Sequence, residues 1–185
     1  TVLACQSIGM AEVVDIPDPN LRQVLEEALG INAGGDITKE ALAELNGTLN
    51  ANNKGITNLS GLEHCTNLTW LGLEGNQVSD VSPLANLTNL TSLVLGNNAI
   101  SDIMAVANLI GLRTLALDNN EISDISAVAN LTGLTHLYLW GNQISDISAV
   151  ANLTNLTELV LEINPLNANA YTTIIPALQA RGVTV

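Results

Sequence analysis

Between Leu68 and Leu166 the apolar positions recur with the period of neither a helix nor a strand, but every 22 residues. The copies LTWLGLEGNQVSDVSPLANLTN, LTSLVLGNNAISDIMAVANLIG, LRTLALDNNEISDISAVANLTG and LTHLYLWGNQISDISAVANLTN begin at Leu68, Leu90, Leu112 and Leu134, and a broken fifth, LTELVLEINPL, begins at Leu156. A shift of 22 residues towards the N-terminus carries Leu71, Val78, Val81, Leu84 and Leu87 onto Leu49, Ile56, Leu59, Leu62 and Cys65. A degenerate first copy therefore spans 46–67. Within each copy, Leu-x-Leu is the alternation of a short strand, with the leucines on one face and the residues between them on the other. No single copy can bury its own apolar face, so the copies must stack and close one continuous aliphatic core.

The flanks follow a helical period instead. Asp18-Pro19 has the form of a helix cap with proline at the first helical position, and Leu21, Val24, Leu25, Ala28 and Leu29 keep one face apolar up to Gly30. A second short helix is predicted over Lys39 to Leu45 with Thr38 as its cap. Beyond Pro165, the spacing of Tyr171, Ile174, Ile175 and Leu178 predicts a closing helix, kinked by Pro176 and stopped at Gly182. Val183-Thr184-Val185 could then add a final edge strand.

The pattern L-x-x-L-x-L-x-x-N-x-I resembles the leucine-rich repeat, and with the recurrent I-S-D-I turn and the flanking helices the chain is similar, over residues 13–185, to bacterial proteins of the internalin type. The resemblance implies an α/β fold: a right-handed leucine-rich repeat solenoid, or horseshoe, with a parallel concave sheet and a helical cap at each end. The expected organisation is a flexible tail or signal remnant over 1–12, a helical cap over 13–45, repeats over 46–166 and a second cap over 167–185, all in one cooperative domain. In the family such a horseshoe is secreted or displayed on the cell surface and binds another protein on its concave strands. The implied function is an exported, non-catalytic module that recognises a protein or peptide. The alternative is a structural or adhesive spacer, or a carbohydrate-binding surface, within a larger secreted bacterial protein.

Composition narrows the partners. The net charge is -13, from 18 acidic and 5 basic residues, which argues against nucleic acid and anionic membranes because both need a positive field. No apolar run is long enough to span a membrane. Cys5 and Cys65 are too few for a disulfide framework and lack metal-ligand spacing; Cys65 takes a core leucine position. Val2 to Cys5 loosely resembles the end of a lipoprotein signal, without the charged and apolar stretches that should precede it.

Phe is absent and aromatic residues make up 2% of the chain, yet His136, Tyr138 and Trp140 stand at alternate positions in one copy. Their neighbours Leu137 and Leu139 point inward, so these three point outward. The outward positions form three columns: Thr48, Trp70, Ser92, Thr114, His136, Glu158; then Asn50, Gly72, Val94, Ala116, Tyr138, Val160; then Asn52, Glu74, Gly96, Asp118, Trp140, Glu162. Trp70 lies three strands from His136, about 14 Å at the usual strand spacing. Exposed aromatics on a rigid sheet are typical binding anchors. The candidate partner-binding residues are Trp70, Glu74, Arg113, Asp118, His136, Tyr138, Trp140, Glu158 and Glu162, a set whose acidity suits a basic protein or peptide. His136 with Glu158 is a suggestive pair for catalysis, but no nucleophile, metal cluster or phosphate loop accompanies it, so no catalytic residue, cofactor or metal is expected. The Asp80, Asp102, Asp124 and Asp146 column reads as turn caps and not as a calcium site, since calcium takes six to eight oxygens. The Asn76, Asn98, Asn120 and Asn142 column reads as structural, its amides satisfying backbone groups.

Overall fold

A computed structural model describes residues 11–185; residues 1–10, and with them the expected tail and Cys5, lie outside the described residues. Six strands, β1 (Asn46–Asn50), β2 (Asn67–Gly72), β3 (Ser92–Val94), β4 (Thr114–Ala116), β5 (His136–Tyr138) and β6 (Glu158–Val160), form one parallel sheet in sequential order. From Thr48 onwards every strand pair keeps the 22-residue register, as in Thr48 with Trp70, Leu93 with Leu115 and Tyr138 with Val160. The degenerate first copy slips by one residue between Gly47 and Thr48, where Gly47 adopts φ 76°. Opposite the sheet each coil returns through a short 3-10 turn: Leu62–His64, Ser82–Leu84, Met104–Asn108, Ser126–Asn130 and Ser148–Asn152.

The inward columns are buried throughout, from Leu49 at one end to Leu159 at the other, and Cys65 fills its place in a column continued by Leu87, Leu109, Leu131 and Leu153. Burial, with Glu63 nearby, pushes the Cys65 thiol up to about 12, which leaves it protonated and inert.

A chain that turns inward after each strand must satisfy its backbone groups where water cannot reach. The asparagine column does this. Asn120 Nδ2 donates to Leu95 O and Leu117 O, both at 3.0 Å, while its Oδ1 accepts from Ile100 N at 3.0 Å. Asn76, Asn98 and Asn142 repeat the arrangement, and Asn164 extends it by one coil. The aspartate column caps the turns: Asp80, Asp102, Asp124 and Asp146 each accept from the backbone N–H two residues on, at 2.7 to 2.8 Å. These bonds hold the Asp80 and Asp124 carboxyls below the usual value. One further column, Asn53, Gly75, Asn97, Asn119, Gly141 and Ile163, stands in the left-handed region. Glycine and asparagine suit that conformation; a β-branched isoleucine does not.

Helix α1 (Pro19–Leu29) runs from Asp18 to Gly30, which closes it at φ 66°. Helix α2 (Lys39–Glu44) is capped by Thr38 Oγ1, which accepts from Ala41 N at 3.2 Å. Upstream, Val13 pairs with Thr38 in an antiparallel bridge. At the other end, Ala170–Ile174 forms a widened π turn that runs into α3 (Ile175–Ala180). Pro176 lacks an N–H and its ring would clash with the carbonyl four residues back, so the chain opens by one residue there instead of continuing as a regular helix. Ile174 and Leu178 are buried as the spacing predicts, but Tyr171 is turned out and 59% exposed. The expected edge strand reduces to a single parallel bridge: Leu159 N donates to Thr184 O and Thr184 N to Thr157 O, both at 2.9 Å.

Candidate partner-binding surface

The strand register places Trp70, His136, Tyr138 and Glu158 in the columns read from the sequence, and Glu74, Asp118, Trp140 and Glu162 lie two residues beyond the ends of β2, β4, β5 and β6, where backbone hydrogen bonds between coils continue. Trp70, Glu74, Asp118, His136, Tyr138, Trp140 and Glu158 are partly exposed, and Glu162 is exposed.

The tightest group is on β5 and β6. The rings of His136 and Tyr138 stack with centroids 6.3 Å apart and 25° between their planes. Tyr138 Oη donates to Glu158 Oε2 at 3.0 Å, and His136 Nε2 lies 3.9 Å from the same oxygen. On the other side of the ring, His136 Nδ1 is 2.8 Å from Thr135 Oγ1. Partial burial and the Glu158 carboxylate both push the Tyr138 phenol above its usual value, which keeps it a hydrogen-bond donor. The Glu158 carboxylate thus fixes the Tyr138 ring, and the His136 ring stacks on it, held from its other side by Thr135, which limits the rotamer freedom of both.

Trp70 behaves differently from the β5 aromatics. A Cβ built on Gly72 would come within 2.3 Å of Trp70 Cη2 and 2.8 Å of its Cζ3, so the far edge of the indole reaches back over the glycine backbone. A bare glycine in the middle column is what lets the ring fold down. Glu74 and Asp118 flank the next glycine, Gly96: a Cβ there would stand 3.8 Å from Glu74 Cγ and 3.9 Å from Asp118 Cβ. Asp118 Oδ1 accepts from Trp140 N at 3.2 Å. Burial is the main reason its carboxyl is held above the usual value, and repulsion from Glu74 and Glu162 adds to it.

Arg113 is not brought to the aromatics. It sits one residue before β4, exposed, and its Nη1 donates to Gly133 O at 3.1 Å in the next coil's loop. Both relevant loop positions are glycines in this part of the chain, where other coils carry an asparagine whose amide bonds the preceding coil, as Asn89 does to Thr66 O and Asn155 to Thr132 O.

Sequence reasoning missed a feature at the C-terminal flank. A cavity of about 330 Å3 is lined by Leu161, Ile163, Leu166, Tyr171, Ile175 and Val185, with Glu162 at its edge. Ile163 is 71% exposed. The signal was present in the register, since isoleucine interrupts a column otherwise made of asparagine and glycine. Among the described residues, no group of three or more His, Cys, Asp or Glu side chains is arranged to hold a metal ion. No helix among them is long and apolar enough to cross a membrane.

Comparison with known proteins matches the same architecture. The family described as "Leucine Rich repeats (2 copies)" matches residues 66–109, 88–130, 110–152 and 132–174. An internalin, inlF, from Listeria monocytogenes superposes with a TM-score of 0.85 at 33% identity, over 96% of this chain and 52% of that one. Internalin C2 from the same organism gives 0.68 at 31% identity, over 96% and 87% of the two chains. The functional domain of Listeria InlJ, which includes a cysteine ladder, gives 0.68 at 27% identity, over 85% and 40%. The chain therefore spans about half the length of inlF. No curated protein matches.

Proposed function

The chain belongs to the internalin-type leucine-rich repeat proteins, and on that premise we propose that it is a non-catalytic recognition module that binds a protein or peptide on the concave face of its sheet. The observation that carries this reading is the cluster in which Glu158 holds Tyr138 and the His136 ring stacks on it, two residues before the partly exposed Trp140, on strands whose inward leucines are buried in the core. Aromatic groups on a rigid scaffold, already desolvated on one side, supply most of the affinity in protein interfaces. The acidic surroundings favour a basic partner. Membership of this family supports export and a binding role.

The test separates affinity from stability. Tyr138→Ala and Trp140→Ala should each weaken binding to a partner captured from candidate cell surfaces by about 2 kcal/mol while leaving the melting temperature nearly unchanged. Leu139→Ala, which empties a core position, should instead cost about 2 to 5 kcal/mol of stability. Aromatic variants that bind as tightly as the parent would remove the concave surface from consideration.

A further inference from the structure

The third outward column carries more information than the recognition reading uses, and the inference below rests on that reading. The column holds Glu74, Gly96, Asp118, Trp140 and Glu162, one per coil, so Glu74 and Glu162 are about 19 Å apart at the usual strand spacing. Between the Glu74 and Asp118 side chains the column holds only the buried backbone of Gly96. Trp140 follows, and then Glu162, at the edge of the apolar cavity lined by Ile163, Tyr171 and Val185. Among the described residues no Lys, Arg or His forms an ion pair with Glu74, Asp118 or Glu162. Arg113, the nearest basic side chain in sequence, is bonded to Gly133 O instead.

Three carboxylates on one track without a counter-charge repel one another, and the elevated Asp118 carboxyl reflects this together with its burial. A neutral partner, a glycan included, could hydrogen-bond to those carboxylates but would leave their mutual repulsion in place. A partner with positive charge relieves the repulsion and gains cation-π contact with Trp140.

We propose that this column is a track for an extended cationic segment of a protein partner, laid across the coils, with Lys or Arg side chains over Glu74 and Asp118 and beside Glu162 and one apolar side chain in the cavity beyond. About six extended residues cover the distance from Glu74 to Glu162. The Glu74 and Asp118 carboxylates fix where one charged side chain lies, and the cavity fixes the direction in which the segment runs.

The experiment uses the intact protein at physiological salt and a labelled synthetic peptide that alternates Arg and Gly and ends in Leu, read by fluorescence anisotropy. The same peptide with Gln for Arg is the comparison. The Arg peptide should bind saturably, and the Gln peptide at least about tenfold more weakly. The double variant Glu74→Gln with Asp118→Asn should lose about tenfold or more. The pair Asp102→Asn and Asp124→Asn removes equal charge at the 3-10 turns and keeps an oxygen to cap them, so it should change affinity by less than about twofold. The proposal is overturned by no saturable binding, by equal binding of the Gln peptide, or by an equal loss in the turn variants, which would mark a general charge effect. It is also overturned if a neutral ligand, such as an oligosaccharide, binds and depends on Tyr138 and Trp140 but not on Glu74 or Asp118. In that last case the concave surface remains a recognition site and only the cationic track falls.

Discussion

Asp18 and Thr57, 39 residues apart, are joined through one carboxylate oxygen: Asp18 Oδ2 accepts from Thr57 N at 2.7 Å and from Thr57 Oγ1 at 3.0 Å. The same oxygen accepts from Asn58 N, and Oδ1 accepts from Asn20 N and Leu21 N at the start of α1. A helix cap therefore doubles as the clamp that holds the N-terminal cap on the first coil, and it is 4% exposed.

Removing that clamp should be costly. Asp18→Ala leaves five donors without their acceptor and should lower stability by about 3 kcal/mol, measured by denaturant melts. Burial alone would raise the Asp18 carboxyl, but the bonds from Thr57, Leu21 and Asn58 outweigh it and hold the group below its ordinary 3.8. The contribution is therefore complete above that value and is lost as pH falls through the lowered one. Acid melts should show the parent losing stability in that range, with Asp18→Asn less stable at neutral pH and flatter below.

Asp118 has the opposite sign. Its folded carboxyl is raised, so ionising it costs stability at neutral pH, and the cost disappears as pH falls below the raised value. Asp118→Asn can still accept from Trp140 N, and it should equal or exceed the parent's melting temperature at pH 7, with the gap closing in acid. A clear loss of stability at pH 7 would contradict this.

The asparagine column should report locally. Asn120→Ala leaves Leu95 O, Leu117 O and Ile100 N without their side-chain partner. The expected cost is about 2 to 4 kcal/mol, with amide exchange at Ile100 accelerated more than in the distant coils. Uniform acceleration across the sheet would mean that the column acts only through global stability.

Ile163 at φ 55° carries strain that its neighbours in the column avoid. Because the side chain is exposed, Ile163→Asn should raise stability by about 0.5 to 1 kcal/mol. A destabilised variant would show that the isoleucine's contacts with the adjoining cavity outweigh its backbone cost.

Most of the fold was legible because the period is carried by side chains whose direction is set by strand alternation: once Leu71 is inward, Trp70 is outward, and the same holds 66 residues later for Leu137 and His136. The Asp18 and Thr38 caps were legible for a similar reason, since a short polar side chain before a helix has few other roles. What the register could not give is where a long side chain lies once it points outward. That Trp70 folds over Gly72 and that Arg113 reaches Gly133 depend on which neighbouring positions lack a Cβ, two or more residues away or on another coil. Tyr171 shares the helical spacing of Ile174 and Leu178 but not their burial, because the kink at Pro176 takes the form of a widened turn over Ala170–Ile174, which the spacing alone does not reveal. The apolar cavity was hidden because it forms only where the end of the chain folds back beside β6.

The constancy of the register has a consequence for length. Each coil meets the one before it and the one after it through the same pairings, as Ser92 with Thr114 and Thr114 with His136 show. A tandem duplication of residues 112–133 would therefore create junctions of a kind the protein already contains, while moving His136 away from Trp70 by one strand spacing, about 4.8 Å. The separation between outward groups can change only in whole steps of that size. Gene duplication would retune such a surface as a ruler is lengthened, by adding divisions, with no side chain altered at either end.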